Sequence, residues 1–149
     1  MDIVLDEWIT SFIANPQAVP QVRDFLDAVM RKCDKFVTTE ASPLERKIWE
    51  MSKQCDSWPE VSRRLAREFI ADFRKNALKW RTLPLSDMPP LPSEVSASVK
   101  DDDQYLARGA LATEAKLIVT IDRPLKDALN GKHGLVVRLV DEFVEEYDP

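Results

Sequence analysis

Four carboxylates stand where they could act as a set. Asp6 follows the apolar run Ile3-Val4-Leu5, and Asp122 follows Leu117-Ile118-Val119-Thr120-Ile121. Glu45 falls three residues after Ser42, in the first turn of a helix, and Asp103 opens the helix that feeds the run before Asp122. Carboxylates gathered in one crevice repel, and a divalent cation is the usual remedy. Ligands that are all oxygen suit Mg²⁺ or Mn²⁺ rather than zinc. Each acid also has an ordinary structural use. Glu45 could close a capping box, Asp103 or its neighbours Asp101 and Asp102 could complement a helix dipole, and Asp6 and Asp122 could be loop carboxylates. Other chemistries fare worse. His133 lies between Gly131 and Gly134 and reads as a turn residue, while Cys33 reads as core at helical spacing. Two cysteines and one histidine cannot build a four-ligand zinc site, and no glycine-rich phosphate loop is present.

The elements that must position these acids can be read from periodicity. Ile3-Val4-Leu5 is a short, continuously apolar run, the pattern of a parallel strand covered on both faces. Pro20 opens a helix carrying Val22, Phe25, Leu26 and Val29 to about Lys32, and residues 35–38 form a second strand. Ser42-Pro43-Leu44-Glu45 is a capping box that starts a helix with Leu44, Ile48 and Met51 on one side. A long helix is predicted from Pro59 to about Arg81, with Val61, Leu65, Phe69, Phe73, Ala77 and Trp80 as its apolar stripe. Pro84, Pro89, Pro90 and Pro92 then make residues 82–99 irregular, with room for a brief strand at 83–85. A helix from Asp101, a strand over 116–120, a short helix over 124–129, a strand over 134–139 and a helix over 141–147 complete the chain. Alternating strands and helices predict one domain over residues 1–149. Its architecture is three-layer α/β/α with a central parallel sheet of about four to five strands. In such sheets ligands bind beyond the carboxyl ends of strands where strand order reverses, which is where Asp6 and Asp122 would sit.

Composition bounds the function. The 149 residues are 44% hydrophobic and 32% charged with net charge −5, a globular balance that argues against a generic nucleic-acid coat protein. No run is long and apolar enough for a membrane span, so no membrane partner is expected. Acid at Asp2 and Asp6 is unlike the basic start of a signal peptide, and two cysteines form no disulfide framework, so a cytoplasmic home is expected.

Asp103-Gln104-Tyr105-Leu106-Ala107 and then Leu117-Ile118-Val119-Thr120-Ile121-Asp122-Arg123-Pro124-Leu125 resemble the third and fourth acid motifs of PIN domains. Ile3-Val4-Leu5-Asp6 resembles the first strand and acid, and Phe36-Val37-Thr38 to Glu45 the second. Gly134 to Val144 resembles the last strand and closing helix. The likeness is strongest over residues 101–144, weak over 54–100, and nearest to the toxin branch found in toxin–antitoxin operons. It implies metal-dependent hydrolysis of RNA phosphodiesters. Asp6, Asp103 and Asp122 would serve as ligands of Mg²⁺ or Mn²⁺, Glu45 would complete the acid ring, and the Thr120 hydroxyl would orient a carboxylate or water. The ion would activate a water for in-line attack on phosphorus. An antitoxin protein and a homodimer are the partners such a toxin implies. One departure stands out. The family carries Thr or Ser and then Asn or Ser after the first acid, whereas Glu7 and Trp8 follow Asp6 here. That keeps a second reading open, a PIN-like RNA- or protein-binding module with a weakened metal site. Glu7 itself reads as solvated.

Ile3-Val4-Leu5-Asp6-Glu7 also resembles the first strand and acid pair of a phosphoacceptor receiver, but no Asp follows an apolar strand mid-chain. For RNA contact the sequence offers Arg63, Arg67, Arg74 and Arg81, with Arg64 at the margin, on one side of the expected long helix. Either this is a phosphate-contacting ridge or it is a solvated face.

Overall fold

The computed structural model describes residues 1–147. Five strands form one all-parallel sheet: β1 (Asp2–Leu5), β2 (Lys35–Thr39), β3 (Trp80–Leu83), β4 (Leu117–Thr120) and β5 (Val136–Leu139). Their order across the sheet is β3-β2-β1-β4-β5. The chain builds outward from β1 to β3, then returns to the other side of β1 for β4 and β5. Strand order therefore reverses between β1 and β4, where Val4 pairs with Ile118 and Leu5 with Val119.

Side chains alternate across a strand, and the sheet separates two cores. Ile3, Leu5, Phe36, Leu117 and Val119 face one. That core is covered by α1 (Trp8–Ala14), α2 (Val19–Met30), α3 (Pro43–Gln54), α4 (Glu60–Phe69) and α8 (Val140–Tyr147). Val4, Val37, Ile118 and Val137 face the other. There α5 (Ser93–Ser96), α6 (Gln104–Leu111), α7 (Arg123–Leu129) and the proline-rich crossing supply Val95, Leu106, Leu125, Leu129 and Met88. Among the described residues no helix is long and apolar enough to cross a membrane.

Three expectations are corrected. The helix expected to reach Arg81 ends sooner: α4 stops at Phe69, a π-helical turn covers Ile70–Arg74, and Trp80 begins β3. The aromatic spacing misleads because one cluster uses it from two elements. The rings of Phe69 and Phe73 come from the helical segment and Trp80 from the strand, and Phe69 and Trp80 meet edge-on at 5.8 Å. Phe36 joins them from β2. Second, α1 was not anticipated; Trp8, Ile9 and Ile13 bury one side of a helix only seven residues long, too short to show a clear period. Third, Cys33 lies past the end of α2 and is exposed, whereas Cys55 is buried.

Candidate functional site

Asp6 and Thr120 sit one residue beyond the Leu5–Val119 pair. The Thr120 hydroxyl donates to Asp6 Oδ2 at 2.6 Å and accepts from the Asp122 amide at 3.1 Å. It thus joins the ends of the two strands on either side of the reversal. Asp6 Oδ1 accepts from the Glu7 amide at 2.6 Å, so the carboxylate is held at both oxygens. Trp8 fixes the same corner from below, its indole N–H donating to the Val119 carbonyl at 3.1 Å. Asp122 is the N-cap of α7, with Oδ1 accepting from the Leu125 amide at 3.1 Å. Among the described residues no hydrogen bond engages Asp122 Oδ2 or either side-chain oxygen of Asp103, so these remain available to a ligand.

The charges of this corner act on one another. Burial pushes the Asp6 carboxyl above the usual range; the bonds from Thr120 and Glu7 oppose that shift, and the charge of Asp122 adds to it. Asp103 is raised by burial, then by Asp6 and Asp122. Glu7, expected to be solvated, is half-buried, and burial together with the charges of Asp6 and Asp103 raises it. The Tyr105 hydroxyl is buried beside Glu7, and burial with the charges of Asp6, Glu7 and Asp103 raises it strongly. Glu7 and Tyr105 are the members that sequence reasoning missed. For Glu7 the available signal was its adjacency to Asp6.

Glu45 belongs to a different network. Ser42 Oγ accepts from the Glu45 amide at 3.2 Å, as a capping box requires, but the Glu45 carboxylate does not close the box. Its Oε2 accepts from Arg74 Nε at 2.9 Å, and its Oε1 from Thr38 Oγ1 at 2.6 Å and the Trp80 indole at 3.4 Å. Glu45 clamps α3, β2, β3 and the π turn together, neutralised by Arg74.

The basic residues are dispersed. Arg67 pairs with Asp56 at 2.5 Å, Arg81 on β3 with Asp2 at 2.6 Å, and Arg64 with Glu60 at 3.1 Å. Only Arg63, Arg64 and Arg67 share α4, so the helical ridge does not extend to Arg81. His133 lies in a turn at φ 49° and pairs with Glu94.

Asp103 and Asp122 line a cleft of about 170 Å³ with Ser98, Lys100, Pro124 and Leu125. That is smaller than the roughly 300–1,000 Å³ that encloses a small-molecule ligand, and it suits one unit of a longer substrate lying across the edge. The oxygen-only donors fit a hard divalent cation. Even so, among the described residues no three His, Cys, Asp or Glu side chains stand together as a ready metal-binding group. The carboxylates share a field without sharing a coordination sphere. The strand order is also not the 2-1-3-4-5 of a flavodoxin-like receiver. No known family model matches this chain, and no curated protein or solved structure is significantly similar to it.

Proposed function

We propose that this chain is a PIN-like, Mg²⁺- or Mn²⁺-dependent ribonuclease whose working acids are Asp6, Asp103 and Asp122. The observation that carries the reading is the Thr120 hydroxyl, which binds the Asp6 carboxylate and the Asp122 amide at the reversal of strand order. A bound divalent ion would supply charge stabilisation at the phosphate and acidify water. The chain's own part is orientation. Thr120 and the Glu7 amide fix Asp6 so that its lone pairs have one direction. The α7 cap fixes Asp122 through Oδ1 and leaves Oδ2 for an ion. The Asp103 carboxylate, which accepts no hydrogen bond among the described residues, is free to turn and close the set around an ion. Because Arg74 occupies Glu45, the fourth acid acts by positioning β2 and β3 rather than as a ligand.

The toxin of a toxin–antitoxin pair is the biological setting this reading carries, with an antitoxin protein as partner. The test is incubation of the purified chain with mixed RNAs in Mn²⁺ and in EDTA. Cleavage in Mn²⁺ that EDTA abolishes supports the reading. Binding of RNA without cleavage in either condition favours the second reading, a PIN-like binding module. The neutralised Glu45 and the separation of the acids keep that module in view.

A further inference from the structure

We propose that the exposed face of α3 is a stacking platform for single-stranded RNA, with Trp49 under one base and Arg46 and Lys53 on the flanking phosphates. It rests on the ribonuclease reading of the neighbouring acid edge. At 100° per residue, Glu45, Trp49, Lys53 and Arg46 fall within one arc of α3, on the side away from buried Leu44, Ile48 and Met51. Trp49 is 63% exposed, whereas Trp8 and Trp80 are buried. An uncovered indole flanked by cations has the chemistry to stack on an unpaired base while the cations meet its phosphates. The Lys53 ammonium lies 5.4 Å from the Trp49 ring, a cation–π approach that keeps charge beside the aromatic face.

Charge separates this face from every arginine of the expected ridge except Arg63. Arg64, Arg67, Arg74 and Arg81 are each engaged by a carboxylate. Arg46, Lys47 and Lys53 form no ion pair among the described residues. They are free to release counterions on a phosphate chain, as is Arg63 on α4. The charge of Arg46, at one margin of this arc, also acts on the Glu7 carboxylate, so the face borders the acid corner on that side. A base has a π face whatever its identity, so such a platform accepts any unpaired base and excludes a stacked duplex.

The test is affinity for a short fluorescein-labelled oligoadenylate, measured in EDTA so that cleavage plays no part, with the same strand annealed to its complement as a control. Trp49 is solvent-exposed, so Trp49→Ala leaves the core intact. The expected result is single-strand affinity weakened about tenfold or more by Trp49→Ala, near wild type in Trp49→Phe, with duplex affinity unmoved. Arg46→Ala with Lys53→Ala should flatten the salt dependence by about 1.4 in the log–log slope, about 0.7 per lost contact. No binding by the wild type, or equal affinity for Trp49→Ala, overturns the proposal. So does a Trp49-dependent self-association without oligonucleotide binding, which would assign the face to a second copy of the chain. The two readings fail separately. Mn²⁺-dependent cleavage with Trp49-independent binding removes the platform alone, and Trp49-dependent binding without cleavage removes the nuclease alone.

Discussion

Thr120 is fully buried and serves two acids with one hydroxyl, donating to Asp6 and accepting from the backbone of Asp122. Thr120→Val keeps the β-branched shape but leaves an acceptor and a donor unpaired. We expect a loss of about 1–3 kcal/mol in stability and a larger than tenfold loss of cleavage, both largely restored by Thr120→Ser. Urea unfolding and an RNA cleavage rate check the pair; a valine variant with wild-type rate would reduce Thr120 to a strand residue. Asp103 tests the electrostatics without loss of a hydrogen bond. Its carboxyl is raised by burial and by Asp6 and Asp122, so the folded state holds its proton more tightly than the unfolded chain. Stability from this group is present below the ordinary aspartate range and is lost as pH rises toward the raised folded value. In EDTA, Asp103→Asn should therefore melt about 2–5 °C above wild type at neutral pH, with the gap closing near pH 3.5. A gap independent of pH would deny the shared field. At this scale the sequence showed which acids stand at strand ends, because apolar runs point at them. It could not show that Glu45 turns toward Arg74, because those residues meet only after β2 and β3 pair.

Among the elements, β1, β2, β4 and β5 were legible, while β3, placed at Trp80–Leu83 rather than at 83–85, and the segment after α4 were not. Strands buried on both faces read as apolar runs, which is why residues 3–5, 35–38 and 116–120 match β1, β2 and β4 closely. Ser42 marks the start of α3 through a local hydrogen bond, and Pro43 occupies its first turn. Residues 70–83 offered no such local signal. Trp80 continues the helical spacing of Phe69 and Phe73, yet it pairs in register with Phe36 on β2. Only tertiary pairing decides that, and periodicity cannot detect it. The π turn at Ile70–Arg74 matters because it ends the helical segment with Arg74 aimed at Glu45. Removing the arginine leaves a largely buried carboxylate, 14% exposed in its side chain, without its counter-charge. Arg74→Ala should cost about 1–3 kcal/mol. Glu45→Gln should cost less, since the amide oxygen still accepts from Thr38. The double variant should cost less than the sum. A thermodynamic cycle from denaturant unfolding checks the coupling, and strict additivity would show the clamp to be nominal.

For the molecule as a whole, three elements that meet only through the fold concentrate negative charge at one edge of the sheet. That arrangement stores repulsion which a cation would relieve. Asp122→Asn isolates the charge: asparagine caps helices as well as aspartate does, so α7 keeps its hydrogen bond from Leu125 while the site loses one negative charge. The most direct test of the central claim is the melting temperature and calorimetric binding isotherm of wild type and Asp122→Asn titrated with Mn²⁺. The account predicts saturable binding by wild type. At Mn²⁺ about a hundredfold above its Kd, stabilisation should reach about 2.7 kcal/mol, read as a rise of several degrees. Asp122→Asn should show a much smaller rise and weaker binding. No binding heat with an unchanged melting temperature, or an equal response in Asp122→Asn, would contradict the claim that these acids form a metal-dependent site.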